Sequence, residues 1–258
     1  MATSAAKPRI VLIIPALDEE EALPLVLQDL ARYRRRPDGA ADTALLDEVV
    51  VVDNGSRDRT AEVARAAGAT VLREPERGYG AACLLALQHL RANPPTIVLF
   101  MDADRSDDAA DIPAVLRPIL EEGYDFVVGS RILGSTERGA VTPQQRVGNW
   151  IATGWIRRKY GFRYTDLGPF RALRYGALEK LGLADRNFGW NVEMQVRALQ
   201  AGLRVTEVPV RYRRRVGKSK ISGTISGSVR AGAKILHMLW KLRAPVPTGE
   251  RATTGRIR

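Results

Sequence analysis

Asp102 and Asp104 stand one residue apart directly after the apolar run Leu99-Phe100-Met101. Alternate residues at a strand end point the same way, so this Asp-Ala-Asp aims two carboxylates into one opening. Hard divalent cations such as Mg²⁺ or Mn²⁺ take oxygen ligands and keep phosphate and water in their remaining positions. The pair therefore suits a metal held against a diphosphate; the competing reading is a pair of turn or cap residues. A second acid, Asp53, ends the run Val51-Val52. A carboxylate there is placed to accept hydrogen bonds from a ribose hydroxyl or a base N–H, or else it caps the Asn54-Gly55 turn. Further along, residues 213–220 (RRRVGKSK) gather basic side chains around Gly217 and Ser219. Arg offers a planar fork to phosphate oxygens and Lys a point charge. The segment reads as a phosphate-wrapping loop, against the alternative of a solvated charge run.

The carboxylates need strands behind them. Residues 9–14 form a β-branched run ending at Pro15, and 20–33 show helical spacing through Leu23, Val26, Leu27 and Leu30. Residues 48–52, 70–72, 96–101 and 125–128 read as strands; 60–67, closed by Gly68, and 80–90, stopped by Asn93-Pro94-Pro95, read as helices. Continuous Val/Ile runs separated by helices predict an α/β layer fold, a mostly parallel sheet covered on both faces. Ligands of such sheets bind beyond the carboxyl ends of the strands. Residues 15–19, 53–56 and 102–104 each follow a strand and so share one crevice. In the second half, 144–159 and 190–201 read as helices, 203–212 as a strand that Pro209 marks as an edge, and 225–242 as a final helix. The expected organisation is one domain over 1–222, divided at 130, then a basic amphipathic helix over 223–244 and a disordered tail over 245–258.

Composition narrows the classes. With 258 residues, 45% of them hydrophobic, the chain buries a sizeable core without disulfides. Cys83 is the only cysteine, which excludes a disulfide framework and any Cys-rich metal site and points to the reducing cytosol. The first twenty residues are no signal peptide, and no run of about 18 uncharged apolar residues is present to span a bilayer. The net charge of +11 is uneven: residues 1–130 carry 14 Lys/Arg against 22 Asp/Glu, residues 131–258 carry 26 against 7. The asymmetry suits a second half that faces polyanions, whether nucleic acid, an anionic membrane surface or a phosphorylated substrate, against the alternative of a merely solvated basic surface. There is no G-x-G-x-x-G and no P-loop pattern, and His89 and His237 both sit in apolar helical settings, so no Ser/His/Asp triad is visible.

Six segments in order resemble the family 2 glycosyltransferases, most closely their polyprenyl-phosphate (dolichol-phosphate) mannosyl- and glucosyltransferase branch. They are IPALDEE (14–20), VVDNGSRDRT (51–60), RGYGAA (77–82), FMDADRS (100–106), VVGSR (127–131) and RRVGKSK (214–220). The resemblance implies a GT-A fold, a nucleotide-sugar donor such as GDP-mannose or UDP-glucose, Mg²⁺ or Mn²⁺, and inverting transfer of one hexose. By motif position Pro15, Ala16, Leu17, Glu19, Val51 and Asp53 would hold the nucleoside, and Asp102, Ala103 and Asp104 the diphosphate. Asp102 and Asp104 would be the metal ligands, with Asp104 catalytic. Arg131, Arg214, Ser219 and Lys220 would bind phosphate oxygens. Many members carry Gln two positions beyond the Asp-x-Asp, where this chain has Ser106.

The expected acceptor is a polyprenyl phosphate, whose ionised oxygen attacks without a strong base. A soluble hydroxyl acceptor needs one, and Glu193 or Asp166 would then serve; Glu193 is equally placed to pair with Arg197 four residues on. In the last predicted helix Ile225, Val229, Ala233, Leu236 and Trp240 recur at helical spacing among basic residues. That pattern suits a peripheral site on an anionic membrane, or packing on the domain or on a second copy. Two rivals stand: a basic nucleic-acid- or membrane-binding module without catalysis, and nucleotidyl transfer. Aromatic residues at 6%, the lack of a nucleic-acid motif and the acidic crevice argue against nucleic acid. Nucleotidyl transfer leaves the basic loop unexplained.

Overall fold

The structure is a computed structural model that describes residues 7–34, 44–217 and 238–242. Its strands are β1 (Ile10–Ala16), β2 (Glu48–Asp53), β3 (Thr70–Arg73), β4 (Ile97–Phe100), β5 (Phe126–Thr136), β6 (Arg171–Arg174) and β7 (Val205–Tyr212). They form one sheet in the order β3-β2-β1-β4-β6-β5-β7, parallel except for β6, which runs antiparallel to both neighbours. The helices are α1 (Leu23–Leu30), α2 (Thr60–Ala66), α3 (Tyr79–Leu90), α4 (Ile112–Glu121), α5 (Pro143–Tyr160), α6 (Tyr175–Lys180) and α7 (Trp190–Gln200).

The unbroken apolar strands are buried on both faces because side chains alternate across the sheet. Val11, Ile13, Val50, Val52, Val98 and Phe100 enter one apolar layer with α3, α5 and α7. Ile10, Leu12, Ile14, Val49, Val51, Ile97 and Leu99 enter the other, with α1 and α4. This is the expected α/β layer fold. Pro209 pairs opposite Ser130 in β7, the edge strand, where a residue without an N–H is tolerated.

Several elements differ from the sequence-based expectation. β1 continues through Pro15 to Ala16, with Pro15 in register with Val52. α1 begins at Leu23 rather than 20, because 18–22 form a turn in which Asp18 takes φ 52° and the Glu19 carbonyl accepts from the Leu23 N–H. β5 runs to Thr136, well past 128. The short α6 and the amphipathic α4, which buries Ile112, Val115, Leu116 and Ile119, were not anticipated. Nor was β6, a four-residue strand with an arginine at each end and no apolar run to mark it. Arg171 is nonetheless fully buried, its guanidinium donating to the carbonyls of Leu167, Gly168, Pro169 and Asn191.

Most of the predicted final helix, and the tail, lie outside the described residues. Residues 238–242 pack on the domain: Met238, Leu239 and Leu242 are buried, and the Leu242 carbonyl accepts from Tyr160 at 2.7 Å and Gln200 at 3.0 Å.

Candidate functional site

β1 and β4 are neighbours with Ile13 opposite Phe100, so the segments leaving their carboxyl ends lie side by side. A cleft of about 490 Å³ opens there. One wall is Pro15, Ala16, Leu17 and Glu19, another Asp102, Ala103 and Asp104; Asn54, the 77–79 turn, Asn187, Phe188 and Arg215 complete it. Two non-glycine residues with positive φ, Asp18 at 52° and Arg105 at 65°, lie in the two strand-end turns. Such conformations cost of order 1–3 kcal/mol and persist where the surroundings enforce them. Here Asp18 accepts from the Arg57 N–H and Arg105 is bonded to Asp29.

The carboxylates crowd one another. Asp102 is pushed up to about 7, by burial first and then by the charge of Asp104, while Arg215 and Arg131 pull it down. Asp107, behind it, accepts the Asp102 N–H at 3.1 Å through Oδ2. Among the described residues its Oδ1, which is buried, has no hydrogen-bond partner. Burial, and secondly the nearness of Asp102, raise both Asp107 and Tyr79 well above their ordinary values. Asp104 accepts from the Ser106 N–H (2.9 Å) and Oγ (2.5 Å) on Oδ1, which leaves Oδ2 facing Arg215 at 3.3 Å. The same guanidinium reaches Glu19 at 3.0 Å.

Among the described residues no cluster of three or more His, Cys, Asp or Glu side chains could hold a metal alone. Two convergent carboxylates, one of them destabilised by its neighbour's charge, do fit Mg²⁺ or Mn²⁺ if a diphosphate and water complete the coordination, as is usual for Mg²⁺. Arg215 provides the positive charge between the cleft acids. Arg215→Met is therefore expected to tighten Mn²⁺ binding about fivefold without nucleotide and to weaken nucleoside-diphosphate binding at saturating Mn²⁺. Mn²⁺ electron paramagnetic resonance and calorimetry read the two effects; movement of both in the same direction contradicts the assignment.

The anticipated residues divide. Pro15, Ala16, Leu17, Glu19, Asp102, Ala103 and Asp104 line the cleft. Val51 does not: it is fully buried in the apolar layer, facing away. Asp53, 3% exposed, accepts the Ser56 N–H at 3.0 Å and lies 3.9 Å from Arg73. Beside it Asn54 takes the cleft position, fixed by the carbonyls of Glu74 and Glu76 and the N–H of Gly78. Arg214 turns outward to the Arg138 carbonyl, and its N–H to Glu137, so its neighbour Arg215 supplies the guanidinium of the basic loop. Ser219 and Lys220 lie outside the described residues. Asn187 and Phe188 had no sequence signal as cleft residues, and Tyr79 lay in the RGYGAA segment without being assigned a role. The 77–79 turn fits because Gly78 and Gly80 let α3 approach the 185–186 backbone, where any Cβ at Gly80 would overlap the Asp185 carbonyl.

Arg131 and Asp166 form one unit. The guanidinium bonds both Asp166 oxygens at 2.7 Å, the Arg131 N–H adds a third bond at 2.9 Å, and the Leu167 N–H a fourth at 2.8 Å. Burial opposes the Arg131 charge, but the bonds to Asp166 outweigh it and raise the group above its ordinary value. The guanidinium lies over the Tyr212 ring, 4.9 Å from its centroid. Glu193 is likewise engaged: Oε2 accepts from the Ala184 and Asp185 N–H groups and Oε1 from Arg197 at 2.8 Å, the i+4 pair. Neither carboxylate lines the cleft.

Residues 11–182 match the sequence profile described as "Glycosyl transferase family 2". A protein of Mycobacterium tuberculosis described as an uncharacterized glycosyltransferase is 39% identical over 225 residues, covering 86% of this chain and 94% of that one. The dolichyl-phosphate hexose transferase of Haloferax volcanii is 31% identical over 227 residues, covering 88% of this chain and 92% of its own. Among solved structures, glucosyl-3-phosphoglycerate synthase from Mycobacterium tuberculosis, crystallised with Mn²⁺, UDP and glucosyl-3-phosphoglycerate, superposes with a TM-score of 0.71 at 21% identity, covering 92% of this chain and 80% of that one. That likeness shows the shared GT-A fold.

Proposed function

The chain belongs to glycosyl transferase family 2, and from that premise we propose that it transfers one hexose, with inversion, from a nucleoside-diphosphate sugar to the phosphate of a polyprenyl phosphate. A phosphate oxygen attacks the sugar C1; the C1–O bond to the diphosphate breaks, and the nucleoside diphosphate leaves with the electron pair. In this reading Asp102 and Asp104 hold the cation, whose chemistry when bound is to offset the diphosphate's charge. Pro15, Leu17 and Asn54 flank the nucleoside, with Asp53 setting the Ser56 turn beside it. Arg215 swings from Glu19 and Asp104 to the departing phosphates, and Arg131 presents its remaining donors to the acceptor phosphate. Positioning and electrostatic stabilisation supply most of the rate.

The observation that carries the choice of acceptor is the engagement of Glu193 and Asp166. An alcohol needs a base to take its proton, and both carboxylates considered for that task are committed to backbone N–H groups and arginines. A phosphate monoester, with a second pKa near 6, is already largely a dianion at neutral pH and needs none. The Haloferax volcanii relative, a dolichyl-phosphate hexose transferase, is named for an acceptor of this class. The test pairs GDP-mannose and UDP-glucose, each with Mn²⁺, against a short-chain polyprenyl phosphate, the matching polyprenol and 3-phosphoglycerate. Product with the phosphate lipid alone is expected, retained to within about threefold in Glu193→Gln. Transfer to the alcohol or to 3-phosphoglycerate, abolished by Glu193→Gln in a folded protein, overturns the reading.

A further inference from the structure

The outer face of α5 has no part in the transfer chemistry, yet it is the most apolar exposed helix surface described. Val147, Trp150 and Ile151 are 57%, 76% and 40% exposed, while the opposite side of the helix buries Ala152, Thr153 and Ile156. At about 100° per residue the three exposed side chains fall within one strip, roughly 100° wide. Arg146 and Arg157 fall along one edge of the strip, Arg158 continues it toward the helix C-terminus, and Lys159 and Arg163 follow, all five exposed. From Arg138 to Thr165 the sequence contains six Lys/Arg and no Asp or Glu. Among the described residues no ion pair engages these five cations. Trp240, 57% exposed, lies on the segment whose Leu242 carbonyl is bonded to Tyr160 in the last turn of α5.

We propose that this face of α5 docks the protein on an anionic phospholipid surface, with Trp150 in the headgroup region and the surrounding cations against lipid phosphates. An aromatic and aliphatic strip bordered by Lys and Arg is the pattern of a helix lying in the interfacial plane. Each cation near such a surface adds attraction that a neutral bilayer withholds. A second copy is a poor occupant, since a two-fold contact would set this cationic patch against itself. Nucleic acid gains little from the aliphatic Val147 and Ile151 beside a single Trp. The inner side of the same helix reaches the acceptor residues. Asn149 bonds the Thr165 carbonyl and the Leu167 N–H, both at 2.9 Å, and so brackets Asp166, which clamps Arg131. Docking would set the Arg131–Asp166 unit toward the layer of lipid phosphates; that consequence alone rests on the proposed acceptor.

The test uses the full chain and sedimenting vesicles of phosphatidylcholine, with or without about one-third phosphatidylglycerol, all lacking polyprenyl phosphate. Wild-type protein is expected to sediment with anionic vesicles and to be released by salt. Trp150→Ser with Ile151→Ser, and separately Arg157→Glu with Arg158→Glu, are each expected to lower the partition coefficient about tenfold, with unchanged turnover on a water-soluble short-chain acceptor. Wild-type protein that stays in the supernatant overturns the proposal, as does equal sedimentation of either double variant. A wild-type dimer that light scattering finds monomeric in the Trp150 variant, with vesicle binding unchanged, assigns the face to a second copy and also overturns it. Loss of short-chain transfer in all proteins, with vesicle binding intact, counts against the proposed acceptor and leaves the docking face standing.

Discussion

Asp104→Asn is expected to lower kcat/KM for the nucleotide sugar by about 10³-fold or more, the scale of several kcal/mol that a metal ion contributes to transition-state charge stabilisation. The substitution preserves shape and leaves an oxygen for the Ser106 N–H and hydroxyl that Asp104 now accepts, so the turn and the melting temperature should survive. What changes is the charge facing the cleft. The Mn²⁺-dependent thermal shift given by the matching donor should disappear, because a ligand raises the melting temperature only through its affinity for the folded state. Retention of that shift in a folded Asp104→Asn protein would remove Asp104 from the cation site. The wild-type protein carries a related pH signature. With Asp102 pushed up to about 7, cation binding below that pH must displace a proton. Mn²⁺ affinity should therefore rise with pH through about 7 and level off above it. The sign for stability is the opposite: a carboxyl whose folded value is raised stabilises the metal-free fold at low pH, and that contribution fades as pH climbs through 7.

How much of this was legible from residues depends on whether local chemistry or tertiary contact decided the outcome. β1, β2 and β4 were readable because burial on both faces demands unbroken apolar runs, and Pro15, Asp53 and Asp102 fall at their ends for the same reason. α4 was readable too, since Ile112, Val115, Leu116 and Ile119 carry the helical period, but it went unclaimed. β6 was not. Its arginines look solvated, and only the carbonyls converging from Leu167, Gly168, Pro169 and Asn191 make burial of Arg171 tolerable. In the cleft, spacing put Glu19, Asp102 and Asp104 on the lining, but it missed that Asp53 is spent on the Ser56 turn and could not choose among consecutive arginines. Arg214 and Arg215 are equivalent in sequence; the folded chain after β7 sends one guanidinium to the Arg138 carbonyl and the other to Glu19. Val51 failed for a simpler reason: the residue of the motif that meets solvent is set by strand alternation, and Val51 falls on the core side.

Asp166 separates a chemical role from a structural one most sharply. Its carboxylate is 1% exposed and accepts four hydrogen bonds, two of them from a guanidinium whose side chain is 13% exposed. Removing one member of such a buried pair leaves an uncompensated charge, which typically costs about 3–5 kcal/mol. Asp166→Ala should then lower the melting temperature by about 10 °C, given roughly 2–4 °C per kcal/mol in a domain of this size. Asp166→Asn should lose less, since it still accepts from the Leu167 N–H. If the loss comes from stranded charge, adding Arg131→Met should restore part of it, whereas independent effects would add. Acceptor-phosphate binding would fall in every one of these proteins, because Arg131 is either misplaced or absent. A general base behaves differently: Asp166→Asn would fold as well as wild type, bind donor and acceptor unchanged, and lose turnover alone. Thermal unfolding of the four proteins, combined with acceptor KM and kcat for Asp166→Asn, distinguishes the two. An unchanged melting temperature with kcat lost and KM preserved would return Asp166 to catalysis and reopen a hydroxyl acceptor.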